Sequence, residues 1–198
     1  MTDMTRTFSD SLRRSRFWHI SLLRLGLVGT IALVLSSCTP SKISQCNKLA
    51  DSVNKMRPIA EEFQQENKNF DAAAKTASAQ NNFNGVKTAA GKAANGFNNL
   101  TQKLDGLIND IQGVNLQDET LVGLKQRYAQ NAIAINASFK EISTALTTIS
   151  TLENSPKGLQ TLNVAGRNLT ATAQKMNGLI QSETKLVEDF NQYCEVKQ

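Results

Sequence analysis

Residues 83–114, FNGVKTAAGKAANGFNNLTQKLDGLINDIQGV, decide the fold. Phe83, Val86, Ala90, Ala93, Phe97, Leu100, Leu104, Leu107, Ile111 and Val114 follow one another at alternating steps of three and four. An α-helix turns once in about 3.6 residues, so this spacing stacks all of them on one face; a strand would alternate at two. Gly91, Gly96 and Gly106 each lower intrinsic helix propensity by about 1 kcal/mol relative to alanine. The stretch therefore predicts a long helix held by packing against other helices, in a bundle or coiled coil.

The flanking sequence supplies the partners. From Ile43 onward Cys46, Leu49, Val53, Met56, Ala60, Phe63 and Phe70 form one stripe, with Asn67 in the remaining slot. Asn67 reads either as a polar device fixing register or as a tolerated polar residue in a loose layer. Pro58 interrupts the stripe without shifting its phase, which predicts a bend or a restarted helix. Small and polar residues at 75–82 are expected to hold the first turn.

After a turn at 113–117, Asp118 is the expected N-cap of a third helix carrying Leu121, Leu124, Tyr128, Ala132, Ile135, Phe139, Ile142, Leu146 and Ile149. Its extra step of four, Tyr128 to Ala132, resembles a coiled-coil stutter. Residues 153–156 close it, with Ser155 as cap and Pro156 in the first turn of a fourth helix. That helix carries Leu159, Leu162, Ala165, Leu169, Met176, Leu179, Leu186, Phe190 and Tyr193, with Thr172 and Glu183 as polar occupants. Thr172 is expected to return its hydroxyl to the backbone one turn back.

Short connections between long helices make neighbours antiparallel. The fold class read from the pattern is all-α, a long up-down-up-down four-helix bundle over 43–198. Residues 101–108 (TQKLDGLI) match 173–180 (AQKMNGLI) at an offset of 72. This is either a duplicated helical hairpin or the chance agreement of two heptad patterns.

The N-terminal region has another character. Arg13, Arg14, Arg16 and Arg24 precede an apolar run at 25–35 (LGLVGTIALVL), which ends in the stretch Leu35, Ser36, Ser37 and Cys38. A basic head, apolar middle and small-residue exit are the parts of a secretory signal. L-S-S-C resembles the lipobox of bacterial lipoproteins. That resemblance implies cleavage between Ser37 and Cys38, a diacylglyceryl group on the Cys38 thiol and an acylated new amino terminus. Residues 1–37 would be the cleaved signal, and 38–42 the lipidated cysteine and a short linker. Two or more acyl chains give stable attachment, at about 0.8 kcal/mol per buried CH2. An ordinary cleaved signal and an uncleaved anchor at 20–37 are the alternatives; Arg24 breaks the latter well short of the roughly 20 residues a span needs. Thr39, which is not Asp, would permit transfer to an outer membrane under the sorting rule of enteric lipoproteins.

Five of the 22 basic and two of the 17 acidic residues lie in 1–37, leaving 17 and 15, a net charge of +2. The remaining basic residues are interleaved with acids, which argues against a nucleic-acid partner. His19 and Trp18, the only His and Trp, also fall in 1–37. A mature chain without histidine excludes Ser-His and Cys-His catalysis and every His-containing metal constellation. Glu62 and Glu66 share a helix face, but acids four apart are commonly solvated, so no metal site is assigned. No residue pairs a nucleophile with a base, and no catalytic or cofactor-binding residue is assigned.

Cys46 lies near the start of the first helix and Cys194 near the end of the fourth. In an antiparallel bundle closed by packing of helix 4 on helix 1 these points meet, and export supplies an oxidising compartment, so a disulfide is expected. Two buried free cysteines or a reactive thiol pair are the alternatives. The expected function is a non-enzymatic envelope lipoprotein, facing the periplasm or the cell surface. Its partners would be membrane lipid through acylated Cys38 and an envelope or membrane protein. The alternative is a carrier of a small ligand or cofactor in the bundle core.

Overall fold

The computed structural model describes residues 40–195. Ser37 and Cys38, with the rest of the lipobox and the signal, lie outside the described residues. Five helical segments follow in order: α1 (Lys42–Val53), α2 (Met56–Ala79), α3 (Phe83–Gly113), α4 (Glu119–Ser150) and α5 (Pro156–Cys194). α1 and α2 together form the first helix of a four-helix bundle, and no strand occurs among the described residues.

The break between α1 and α2 has a local cause. Pro58 has no N–H with which to bond the Asn54 carbonyl. That carbonyl instead accepts from Arg57 N–H at 3.2 Å, one residue earlier. Asn54 and Lys55 keep near-helical torsions, so the chain bends and does not turn back. Pro58 then falls in the first turn of α2, where a missing donor costs least.

The stripe at 83–114 becomes the centre of the core. Ala90, Ala93, Phe97, Leu100, Leu104, Leu107 and Ile111 are all buried, and Leu100 and Leu104 are fully so. Phe83, Val86 and Val114, at the ends, are half-buried. α4 buries the widest arc, because it packs on α3, α5 and α1 together. Tyr128 and Ala132, on either side of the extra step in its stripe, are both buried.

The first turn is shorter than expected from residues 75–82: 75–79 are helical and only 80–82 connect. Lys75 pairs with Asp71 at 2.7 Å and Thr76 bonds the Ala72 carbonyl, so alanine-rich sequence continues the helix. The helix ends where Asn81 adopts a left-handed torsion (φ 50°), which asparagine tolerates better than most residues. Asn81 and Asn82 N–H close back on Ser78 and Ala77 carbonyls at 3.0 and 2.8 Å, a Schellman ending. Asn82 then caps α3 by accepting from Gly85 N–H at 2.8 Å.

Both predicted caps are present. Asp118 Oδ1 accepts from Leu121 N–H at 3.0 Å, and Ser155 Oγ accepts from Gly158 N–H at 3.1 Å with Pro156 next to the cap. At Gly158 any Cβ would run into the Glu153 carbonyl oxygen, so the tight entry into α5 requires glycine there. Some positions related by the 72-residue offset are buried in both halves, as Leu49 and Leu121, Met56 and Tyr128, and Leu104 and Met176 are; within the matched stretches, however, Thr101, Leu107 and Ile108 are buried while Ala173 is exposed and Leu179 and Ile180 are half-buried.

The closure of the bundle differs from expectation. α2 packs on α3, α3 on α4 and α4 on α5, but α2 and α5 are not packed along their lengths. Contact between the first and fourth helices comes through α1, at the end holding Cys46 and Cys194. Phe63 shows why: its ring stacks on Phe139 of α4 at 5.2 Å and meets the edge of Phe97 of α3 at 5.9 Å. α2 thus packs on α3, with the Phe63 ring reaching across to α4, and is not packed along α5. Asn67 is accordingly exposed and fixes no buried register. Phe70, Leu162 and Leu169 stay half-buried for the same reason.

Candidate functional site

The end of the bundle next to Pro40 gathers most of the residues singled out above. Cys46 and Cys194 form a disulfide, with Cα atoms 6.0 Å apart and a separation of 148 positions in sequence. Around it the side chains close on one another. Gln45, buried one residue before Cys46, accepts through Oε1 from the N–H groups of Gln117 at 2.6 Å and Asp118 at 2.9 Å. The turn between α3 and α4 is thereby tied to α1.

Asp118 has a second role beyond its cap. Tyr193, from the last turn of α5, donates its hydroxyl to Asp118 Oδ2 at 2.7 Å, and Lys42 Nζ lies 3.8 Å from the centre of the Tyr193 ring. The bond from Leu121 N–H, followed by that from Tyr193, lowers the Asp118 pKa below the ordinary value. A lowered carboxylate contributes stability that is present above its ordinary pKa and lost as pH falls through the lowered one. Asp118→Ala is expected to cost about 1 kcal/mol, the usual worth of an N-cap. Urea titration at neutral pH and again near pH 2 checks this, and the deficit should shrink in acid.

A second polar group lies in the α4–α5 interface. Glu183 is 4% exposed, and its Oε2 accepts from Asn131 Nδ2 at 2.7 Å; the same amide also donates to the Leu179 carbonyl at 3.3 Å. Burial, opposed by the Asn131 bond, raises the Glu183 pKa. The Tyr128 phenol nearby is also raised, first by its own burial and then by the Glu183 charge, so it stays neutral. Thr172 differs from its expected role: its hydroxyl donates to Glu141 Oε2 at 3.3 Å across the interface, beside the Lys175–Glu141 pair at 2.9 Å.

Glu62 and Glu66 are brought to different neighbours. Glu62 pairs with Lys103 of α3, while the Glu66 carboxyl occupies the space left by Gly96. No group of three His, Cys, Asp or Glu residues able to hold a metal occurs among the described residues, and no described helix is long and apolar enough to cross a membrane.

Sequence reasoning located the disulfide and the Asp118 cap, and marked Glu183 as a polar slot. Gln45, Lys42, Tyr193 and Asn131 it missed as polar partners. Gln45 sits where helical spacing allows a buried position, yet nothing in the order of residues pairs it with a turn 72 positions away.

The class defined by fold and site is an all-α, antiparallel four-helix bundle stapled at one end by a disulfide. Compared with known proteins, the chain matches no family model, no curated protein and no solved structure.

Proposed function

We propose that this protein is an exported lipoprotein of a bacterial cell envelope, anchored through acylated Cys38, whose helical bundle serves as a non-enzymatic structural or protein-interaction module. The observation that carries the reading is the disulfide between Cys46 and Cys194. Such bridges persist in oxidising compartments, where the signal-like residues 1–37 would send the chain. Three residues, 39–41, separate Cys38 from α1, a reach of about 11 Å when extended. An acylated Cys38 would therefore hold the disulfide end close to the lipid surface. The turns at 80–82 and 151–155 would face away from it and are the places to seek an envelope or membrane protein partner.

Carriage of a ligand within the core is the weaker reading, because side chains fill it: Phe97, Leu100, Leu104, Ile111 and Leu121 are at most 1% exposed. In cells fed an alkyne-bearing fatty acid, the protein should acquire the label and fractionate with membranes, and Cys38→Ala should do neither. Labelling that persists in Cys38→Ala, or recovery of the unaltered protein free of membranes, would sink the proposal. Crosslinking from residues placed in the 80–82 and 151–155 turns should capture a partner that crosslinkers at 114–117 do not.

A further inference from the structure

α5 is held differently from the other long helices. It has 39 residues, yet its buried positions are Gly158, Ala165, Thr172, Met176, Glu183 and Leu186 alone, two of them polar. Its packing is on α4, with α1 joining at the disulfide end. Polar links to α4 recur along its length: Thr172 and Lys175 with Glu141, Glu183 with Asn131, Asp189 with Arg127 at 2.9 Å, and Tyr193 with Asp118. Most of these side chains are exposed or half-exposed, and such links hold weakly in water. Glu183 is the acid among them that is buried.

Glu183 forms no ion pair among the described residues. From α4 it is faced by Asn131 and by the neutral Tyr128; the nearby Arg127 is engaged by Asp189. On its own helix Lys185 is exposed, and α1 contributes Lys42 to Tyr193, at the end of α5. A cleft of about 370 Å³, lined by Gln130, Asn131, Ser182, Lys185 and Leu186 among others, brings solvent to the edge of this layer. Glu183 itself does not line that cleft; a buried carboxyl with one neutral hydrogen-bond donor and no ion pair is poorly accommodated as an anion.

We propose that Glu183 and Asn131 form a proton-operated latch that sets how tightly α5 is docked on α4. Protonated, Glu183 still accepts from Asn131 and buries no charge, so the interface closes. Ionised, it favours local separation of α5 from α4, while the disulfide keeps the helix tethered to α1. The direction follows from burial, which raises the carboxyl's pKa in the docked state. Docking strength is full below the ordinary carboxyl value and is lost as pH rises through the raised one. The latch operates wherever the chain resides and does not rest on the lipid anchor.

The test is amide hydrogen exchange on the full chain with its disulfide intact, read by mass spectrometry between pH 4 and pH 8 and corrected for intrinsic exchange. The opening constant of peptides spanning 176–190 should rise with pH, by about tenfold for each unit separating the docked and undocked pKa values, while peptides of α3 should not follow. Glu183→Gln keeps the acceptor for Asn131 without the charge, and should hold these peptides at their acid-level protection across the range. Glu141→Gln removes an exposed ion pair of the same interface, leaves Arg127 engaged by Asp189, and should leave the slope in place. The latch is overturned by a flat profile in the unaltered protein, by an unchanged slope in Glu183→Gln, or by loss of the slope in Glu141→Gln.

Discussion

The protein carrying Cys46→Ala and Cys194→Ala is expected to melt about 15 °C below the oxidised protein. The bridge joins residues 148 positions apart. In the chain-entropy model, closing so long a loop removes about 5 kcal/mol of freedom from the unfolded chain. For a domain of this size 1 kcal/mol shifts the melting temperature by about 3 °C. This is an upper value, since residual structure in the unfolded chain lessens the gain. The loss should also be local, because α2 and α5 are not packed along their lengths and the bridge joins first helix to fourth where α1 meets α5. Amide protection should fall first in the last turns of α5 and in α1, and last in α3 and α4. Calorimetry of both forms, with exchange mapped on the variant, checks the size and the place. A loss below about 1 kcal/mol would mean that the remaining contacts, Tyr193 with Asp118 and Gln45 with the α3–α4 turn, hold that end without the bridge.

Phe97→Ala is expected to cost about 3–5 kcal/mol, the usual range for removing a buried aromatic ring. Phe97 is 1% exposed, and its ring meets Phe63 and Phe139 edge-on at 5.9 and 5.7 Å. These three rings come from α3, α2 and α4, so the ring that disappears is where three helices converge. The cavity left would be lined by Phe63 and Phe139, which stack on each other and have little room to collapse inward. Phe70→Ala removes a ring of equal size from a half-buried position and should cost markedly less. Urea unfolding with the disulfide intact measures both, and an unchanged dependence on urea concentration confirms that the same surface is exposed. Equal losses at the two positions would contradict the central place given to Phe97.

How much of this was legible in the chain depends on the range of the interaction. Asp118 and Ser155 announce themselves as caps because a cap is satisfied within three residues. Asn81 and Asn82 were read only as part of a longer turn. Alanine-rich sequence carries little punctuation, and the ending depends on a single left-handed asparagine. Thr172 was expected to bond its own helix, and the proximity of Glu141 on α4 draws its hydroxyl across the interface. The disulfide could be foreseen because it follows from topology: an even number of antiparallel helices returns the chain to its starting end.

By itself the sequence determined the four amphipathic stripes, the order and direction of the helices, the caps Asp118 and Ser155 and the meeting of Cys46 with Cys194. Each follows from local spacing or from the count of turns. Only the tertiary structure decided that α2 packs on α3 with Phe63 reaching across to α4, that the seam toward α5 is closed at one end alone, and that Glu183 is buried while Asn67 is exposed. Periodicity tells which face of a helix seeks cover but not how much of that face a neighbour will reach. The bend at Pro58 and the stacking of Phe63 on Phe139 settle that in three dimensions.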